Sequence, residues 1–499
     1  MIVPRGLNIK RRSFLTEEEC RIVHDWSCRL LEETGVELTS PKALNLFKEA
    51  GAVQQEGRIK LTRDMVEKAV EKTAKNFVMK AKNRENDIFL DSKNPRIHFG
   101  TGGQALYVLR RDNGVFQKKN AVTKDLVDIL RICQDLENVD FITRPLEPDV
   151  PDEEMDLEKT RLFLAHTNKH MNLANLIMEE RLPEIISLVE DRSLISFISC
   201  VAVSPLNLVS PTVEKYMRIV EEDVPVAISS CPQAGLTAPL SEVGEIIQVN
   251  AEILSAVVLA NLVRPGAKVL YRGIPITSNL HLDVSPRWCQ PDSIRRVSLI
   301  TDMAFFYGIP CCGTAAVSDE KEPNSQALSE KILGWIFEAA AGAQFINSSL
   351  GMLEQVMTVS PEQYIIDDIG ISLVKKYFTE ESGRDIKKIA CTSAVTFLDR
   401  FGIKTTEAMA REIENRIGFI LSSKEEYSPE SAEAQVHLIG KAVASGKSGQ
   451  HFMKTSRTGL RKGWLYKGNK IEGEMNLEEV IQIKNRLLRA GKKENLERG

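Results

Sequence analysis

Val224-Pro225-Val226-Ala227-Ile228-Ser229-Ser230 runs into the joint Cys231-Pro232-Gln233-Ala234-Gly235 and then into the apolar stretch Glu242–Val263. Arg264-Pro265-Gly266 interrupts the pattern before Ala267-Lys268-Val269-Leu270-Tyr271-Arg272 resumes it. A strand that is apolar throughout, instead of at alternate positions, is one buried on both faces of its sheet, and the long connection behind it permits parallel pairing. Val243, Ile246, Ile247, Ile253, Leu254, Val257 and Val258 recur at three- and four-residue spacing, which predicts a helix over Glu242–Val263. Ser241 stands where an N-cap belongs, and Pro265-Gly266 stops the helix. Asn250 and Asn261 lie near its apolar stripe and are expected to bond neighbouring backbone.

Working outward, the same unit recurs eight times between Pro95 and Tyr377. Strands are predicted near Ile97–Val108, Val139–Thr143, His170–Leu176, Ser196–Val203, Val224–Ser230, Ala267–Arg272, Pro310–Val317 and Gln344–Ser349. Helices follow near Lys124–Leu136, Met155–His166, Glu179–Asp191, Pro211–Glu222, Glu242–Val263, Asp292–Tyr307, Asn324–Ala341 and Pro361–Tyr377. Eight βα units make an α/β chain of the (β/α)8 TIM barrel class. A barrel needs roughly 250 residues, so a chain of 499 leaves substantial flanks. The expected division is a helical extension over 1–94, the barrel over 95–379 and a helical region over 380–499. The extension reads as helices including Glu17–Gly35 and Pro41–Glu49; the C-terminal region holds Glu407–Leu421, Pro429–Ala444 and Leu477–Ala490, and Gly491–Gly499 is a charged, frayed tail.

A net charge of −4 without long runs gives no electrostatic reason to bind nucleic acid. The longest nearly unbroken apolar run, Ile253–Ala260, is far short of a membrane span, and no apolar leader opens the chain. Nine cysteines, an odd number with no CxxC pair, suit reduced thiols, so a soluble cytoplasmic protein is expected. Cys311-Cys312 reads as two small buried hydrophobes within a strand.

Barrel chemistry sits at the C-terminal ends of strands and in the loops beyond them. Those joints are Phe99-Gly100-Thr101-Gly102-Gly103-Gln104, Ser204-Pro205, Ser230 to Gly235, Tyr271-Arg272-Gly273-Ile274-Pro275, Gly313-Thr314 and Asn347-Ser348. They supply amides, hydroxyls, one Tyr and one Arg. No HxH, HExxH or paired Asp/Glu stands among them. His166 and His170 are four apart but straddle a predicted helix-to-strand junction, and Gly100–Gly103 reads as a tight turn more than a phosphate loop. With seven histidines in the chain, a Ser-His-Asp set cannot be assembled at these joints. A neutral, amide-lined and locally aromatic pocket suits a cationic substrate held by rings.

Four blocks between Cys231 and Tyr377 carry a family resemblance: Cys231 to Pro239; Asn250-Ala251-Glu252-Ile253-Leu254; Gly308-Ile309-Pro310; and Ser318-Asp319-Glu320-Lys321 with Gln326-Ala327 and Glu330. Ala341-Gly342-Ala343 and Leu350-Gly351-Met352-Leu353-Glu354 extend it, as do Asp125-Leu126, Arg144-Pro145 to Asp149, Lys169-His170 and Ser204-Pro205-Leu206 upstream. In combination they resemble the trimethylamine methyltransferase family. The resemblance implies a (β/α)8 protein that passes a methyl group from a methylated amine to the cobalt of a cobalamin (corrinoid) carried by a separate small protein. The founding branch uses pyrrolysine; this chain has only standard residues and resembles the branch acting on quaternary amines of the betaine and carnitine class. Asn324 stands where the family commonly has an acid, and Gln233 and Leu236 alter the loop after strand five.

A quaternary ammonium releases a neutral tertiary amine, so no general acid or metal is required of the protein. Aromatic faces hold such a cation at about 0.5–2 kcal/mol each, and the candidate rings are Phe99, Tyr107, Tyr271, Trp288, Phe345 and Tyr364. Each has ordinary packing as its alternative role. Arg272 and His281, with Arg287 and His170 behind them, are candidates to receive a substrate carboxylate, unless Arg272 instead forms a structural salt bridge. At most one carboxylate is expected near the nitrogen, Glu354 or Glu330 being the candidates, with a solvated helix face the alternative for Glu330; Gln233, Asn347 and Glu354 are the positioning groups. No DxHxxG pattern appears, so the corrinoid is expected to visit on its own protein, and the flanks are expected to dock that partner or build a homo-oligomer. Two other readings stay open: a betaine-binding protein without turnover on this scaffold, and a metal-dependent barrel enzyme using His166, His170 and a cysteine.

Overall fold

The computed structural model describes residues 5–113, 115–278, 285–380, 385–400, 404, 407–422, 425–446 and 452. His281 and the predicted helix Leu477–Ala490, with the tail behind it, lie outside the described residues.

Eight parallel strands form one ring in chain order: β1 (His98–Thr101), β2 (Phe141–Thr143), β3 (His170–Asn172), β4 (Ile195–Ser199), β5 (Val226–Ser230), β6 (Val269–Gly273), β7 (Cys312–Gly313) and β8 (Phe345–Leu350). The β5–β6 register runs from Val226↔Val269 to Ser230↔Gly273, and β8 returns to β1 through Phe345↔His98. The last gap, β6 to β7, is closed by a parallel bridge Tyr271↔Cys311 in which Tyr271 N–H donates to Pro310 C=O at 2.8 Å. Parallel strands met in sequence order and closed on themselves are a (β/α)8 barrel.

The helices after each strand are α1 (Thr123–Asp135), α2 (Asp152–His166), α3 (Leu182–Val189), α4 (Ser210–Glu221), α5 (Glu242–Val263), α6 (Pro291–Tyr307), α7 (Ser325–Ala341) and α8 (Pro361–Glu380). α5 has the bounds its periodicity predicts, and Ser241 Oγ accepts from Gly244 N–H at its start. Gly308 and Gly342, at φ 62° and 94°, end α6 and α7 in the left-handed conformation that glycine adopts most cheaply. Asn324, at the position where the resemblance expects an acid, caps α7 by accepting from Ala327 N–H at 2.9 Å.

Two expectations need correction. The run Ile97–Val108 is not one strand: the chain leaves the barrel after Thr101, where Gly102-Gly103 offer no side chains to hold it in the sheet. Tyr107–Asp112 instead pairs with Val115–Asn120 as a hairpin, joined by Met352–Leu353 and Thr358–Val359 in a small sheet beside the barrel's C-terminal end. The N-terminal extension is also not helical throughout. Besides helices Glu17–Glu33, Pro41–Glu49 and Arg63–Lys72 it contains the hairpin Asn76–Met79/Ile88–Asp91. Strands Val36–Leu38, Val53–Gln55 and Arg58–Lys60 form a sheet with Ala202–Val203 and Asn207–Leu208, which follow β4. Runs of three or four residues are too short for periodicity to reveal.

The hairpin of the extension plugs the N-terminal end of the barrel. Its Phe77, Met79, Ile88 and Leu90 pack with Phe141, Ile198, Ala227, Leu270, Cys312 and Phe345 from six barrel strands. The helix Glu17–Glu33 lies against α5: Asn250 Nδ2 donates to Ser27 Oγ at 2.8 Å, and Ser27 Oγ donates to Ile247 C=O at 3.1 Å. Asn261 does bond local backbone, donating to Val257 C=O at 3.0 Å. C-terminal helices Ile386–Arg400, Glu407–Ser422 and Pro429–Ala444 complete the described chain. Tyr427 O–H donates to Glu242 at 3.2 Å and Arg295 to Ile420 C=O at 3.3 Å, tying the helical flank to α5 and α6. α5 is long and apolar enough by composition to cross a membrane, yet 89% of its most apolar window is buried within this protein.

Candidate active site

Side chains alternate across a strand, so neighbours cannot share a face. On β6, Leu270 joins the barrel's inner core, which makes Arg272 inward and Tyr271 outward. On β5, Ala227 and Ser229 face in, while Ser230 faces out to Glu252 of α5. The inward positions build two layers. The lower is apolar: Phe141 and Phe345 stack with centroids 3.5 Å apart and planes 12° from parallel. Gly100 gives them room, since a Cβ there would lie 2.1 Å from the Phe141 ring.

The upper layer is polar and centred on Arg272, which is 5% exposed. Its Nη1 donates to Ser229 Oγ and its Nε to Asn347 Oδ1 at 3.4 Å, while Thr314 Oγ donates to the same Asn347 oxygen at 2.9 Å. Asn347 Nδ2 and Thr143 Oγ are buried and have no hydrogen-bond partner among the described residues, which makes both suited to a bound molecule. Just past β4 and β5, Cys200 and Cys231 are solvent-exposed, so the mouth of the barrel is open. Cys231 is nevertheless deep: burial pushes its thiol up to about 12, Cys200 adds to the rise, and Arg272 opposes it.

Two buried carboxyls brace this layer from behind. Glu338 of α7 fills the space left by the missing side chain of Gly313, and its Oε1 accepts from Ala315 N–H at 2.6 Å, while Oε2 has no hydrogen-bond partner among the described residues. Burial raises it to about 8 against the pull of the Ala315 amide and Arg272. Glu252 accepts from Ser230 Oγ (2.6 Å), Ser204 Oγ (2.8 Å), Leu206 N–H (3.0 Å) and Gln248 Nε2 (3.1 Å), holding the loop after β4 to the end of β5. An acidic pair, Asp319 in the loop beyond β7 and Glu330 of α7, lies beside the loop beyond β6. Trp288 N–H donates to Asp319 Oδ1 at 3.2 Å, and Glu330 accepts from Ser318 Oγ at 2.7 Å, Asp319 N–H at 3.3 Å and Gln326 Nε2 at 2.8 Å. Burial and the neighbouring Glu330 raise Asp319 to about 7.

The expected site residues separate accordingly. Arg272 and Asn347 meet inside the barrel; Trp288 and Glu330 meet at Asp319; Gln233 is half-buried in the loop after β5, its N–H donating to Thr237 Oγ at 2.8 Å. Glu330 is 1% exposed and so is no solvated helix face. Tyr107 and Glu354 belong to the outer small sheet, where Lys118 Nζ lies 4.0 Å from the Tyr107 ring centroid and donates to Glu354 at 2.6 Å. That ring face already holds a cation.

Several candidates for the ring and carboxylate contacts stand elsewhere. Phe99 faces the helical layer, with Lys375 Nζ 5.6 Å from its ring. The Tyr271 hydroxyl donates to Asn250 Oδ1 and its ring lies 6.0 Å from that of Tyr307, between β6 and the helices. Tyr364 of α8 is fully buried beneath Gly351, where a Cβ would lie 2.1 Å from its ring. Phe345 belongs to the lower stack. His170 lies at the plugged end, Nδ1 against Lys80 C=O and Nε2 against Ser196 Oγ, both at 2.8 Å; burial lowers it to about 4. Arg287 pairs with Thr277 in a short two-stranded loop. His166 ends α2, and among the described residues no three His, Cys, Asp or Glu come close enough to hold a metal ion. Sequence reading missed Ser229, Cys200, Cys231, Thr143 and Glu338. Alternation counted back from Arg272 is the signal that exposes the first three.

Residues 5–395 match the profile of the trimethylamine methyltransferase (MTTB) family. The chain is similar to trimethylamine methyltransferase MttB of Methanosarcina barkeri, 28% identical over 385 residues covering 74% of this chain and 77% of that protein. It is 25% identical to a glycine betaine methyltransferase of Desulfitobacterium hafniense strain Y51 over 395 residues, 76% of this chain and 81% of that one. Among solved structures it is similar to the Methanosarcina barkeri monomethylamine methyltransferase (MtmB), with a TM-score of 0.47 and 13% identity over 83% of this chain and 96% of that one. At that score the likeness adds nothing to a topology already read from strand pairing. The match over most of its length makes the chain a member of the trimethylamine methyltransferase family.

Proposed function

We propose that this methyltransferase takes a methyl group from a carboxylated quaternary amine of the betaine and carnitine class and passes it to the cob(I)alamin of a separate corrinoid protein, in the cytoplasm. The observation that carries the reading is Arg272: a guanidinium inside an open barrel, oriented by Ser229 and Asn347. A cation there would repel a simple tetraalkylammonium, whereas it suits a zwitterion whose carboxylate reaches it first. The relative that acts on glycine betaine is consistent with that charge pattern.

Cob(I)alamin supplies the nucleophile, and the open rim beside Cys200 and Cys231 offers it an approach. The work left to the chain is to hold and aim. Arg272 fixes the carboxylate, Asn347 Nδ2 and Thr143 Oγ stand ready to hydrogen-bond the bound molecule, and the Phe141–Phe345 stack prevents it from sinking deeper. Holding two reactants in line is worth up to about 7–11 kcal/mol. The tertiary amine departs neutral, so no side chain has to deliver a proton. Trp288, beside Asp319 and Glu330, remains the ring candidate for the cationic end, at about 1 kcal/mol. The catalytic unit in this reading is the barrel over 95–379.

A panel of glycine betaine, proline betaine, carnitine, trimethylamine and tetramethylammonium, each supplied with free cob(I)alamin, tests the proposal. At least one carboxylated compound should yield methylcobalamin. Tight binding of a betaine with no turnover by folded protein would replace the proposal with a binding function.

A further inference from the structure

Among nine cysteines, six are buried and Cys391 is half-buried; Cys200 and Cys231 alone are exposed. The two stand one residue past the ends of the neighbouring strands β4 and β5, near enough for Cys200 to act electrostatically on Cys231. The β4–β5 register pairs Ile198 with Ala227, both inward residues of the inner core, and Ser199 with Ile228. Continued by one step, it sets Cys200 level with Ser229, the residue that accepts from Arg272, and Cys231 one inward position closer to the mouth. Adjacent strands are about 4.8 Å apart and rise about 3.3 Å per residue, which separates the two Cα atoms by about 8 Å. That exceeds the span of a disulfide. The pair is therefore two separate patches of wall, set beside and above Arg272.

Polarizable sulfur is a good neighbour for methyl groups. In the shorter betaines a single carbon separates carboxylate from nitrogen, so a carboxylate held at Arg272 leaves the N-methyl groups in the same section of the barrel, toward the rim. We propose that Cys200 and Cys231 form the wall that receives those N-methyl groups and so help determine which quaternary amine fits. The inference rests on the carboxylated-amine reading above.

Pulse labelling of the full chain with N-ethylmaleimide, read by intact mass, tests the wall directly. C200S and C231S, each deleting one adduct, assign the labelled sites, and Cys391 serves as an internal control away from the barrel interior. Glycine betaine, proline betaine and carnitine are each added at saturation, with sodium acetate as a carboxylate lacking methylammonium. A site occupied about nine-tenths of the time labels about tenfold more slowly, so the compound that is turned over should slow both thiols by that factor, leave Cys391 unchanged, and exceed any effect of acetate. A compound that methylates cob(I)alamin yet leaves both thiols fully reactive overturns the wall while the methyl-transfer reading stands. Protection without turnover keeps the wall and removes methyl transfer, and neither protection nor turnover by any betaine removes both.

Discussion

Replacing Arg272 with alanine separates a substrate-binding guanidinium from a structural one. The side chain bonds Ser229 Oγ and Asn347 Oδ1 within the polar layer. A charge-assisted hydrogen bond to a carboxylate is worth about 1.5–3 kcal/mol, which converts to a loss of roughly 10- to 150-fold in kcat/KM for a carboxylated quaternary amine. A tetramethylammonium ion makes no such bond and gains from losing a repulsive charge, so its rate, however low in the wild type, should hold or rise. Structural damage acts on both classes alike: Ser229 and Asn347 each lose a partner, at about 1–3 kcal/mol of stability apiece. The assay is initial-rate methylation of free cob(I)alamin by each class of amine, alongside urea unfolding to confirm that the variant is folded. Arg272→Lys keeps the charge and loses the planar fork, and should fall between wild type and alanine for the carboxylated compound. Equal losses for both classes in a folded variant would refute the carboxylate role.

Tyr271→Phe should leave kcat/KM unchanged, because the ring packs toward the helices; losing its bond to Asn250 should cost about 1–2 kcal/mol in urea unfolding, and a tenfold kinetic effect would return the ring to the pocket. Gly100→Ala forces a methyl toward a ring 2.1 Å away, and overpacking of about 1–3 kcal/mol should lower the unfolding midpoint; an unchanged midpoint would mean the lower stack is loose. Glu338 gives a pH signature. Its folded value of about 8 lies above the ordinary 4.5, so the native state binds the proton more tightly, and the stability it contributes is complete below pH 4.5 and lost as pH rises to about 8. Glu338→Gln should flatten that part of the stability profile in melts run between pH 5 and 9, and an unaltered slope would assign the dependence to other groups.

The barrel was legible because its signal is repeated and coarse: continuous apolar strands, punctuated joints and long helices, with α5 read to the residue. The short strands were not, since nothing in Asn76–Met79 or Ile88–Asp91 distinguishes a plug from a loop until both meet Phe141 and Phe345 inside the ring. The site was half legible. Nearness to a strand end admits Tyr271 and Arg272 together, although adjacent strand residues point to opposite faces. Alternation keeps Arg272, drops Tyr271 and Phe99, and draws in Ser229 and Cys231. Glu338 had no sequence signal of this kind, because its place depends on a helix meeting the side-chain gap at Gly313. Above the Phe141–Phe345 stack the inward side chains form a polar layer around Arg272, and Trp288 stands in a neighbouring loop.

The most direct measurement follows the methyl group itself. A betaine carrying 13C at its N-methyl carbons is incubated with the protein and cob(I)alamin, and methylcobalamin and the demethylated amine are quantified together. The proposed function predicts labelled methyl on cobalt and one tertiary amine released for each, with kcat/KM lowered roughly 10- to 150-fold when Arg272 is replaced by alanine. Labelled carbon that never reaches cobalt, from a betaine that the folded protein demonstrably binds, would contradict it.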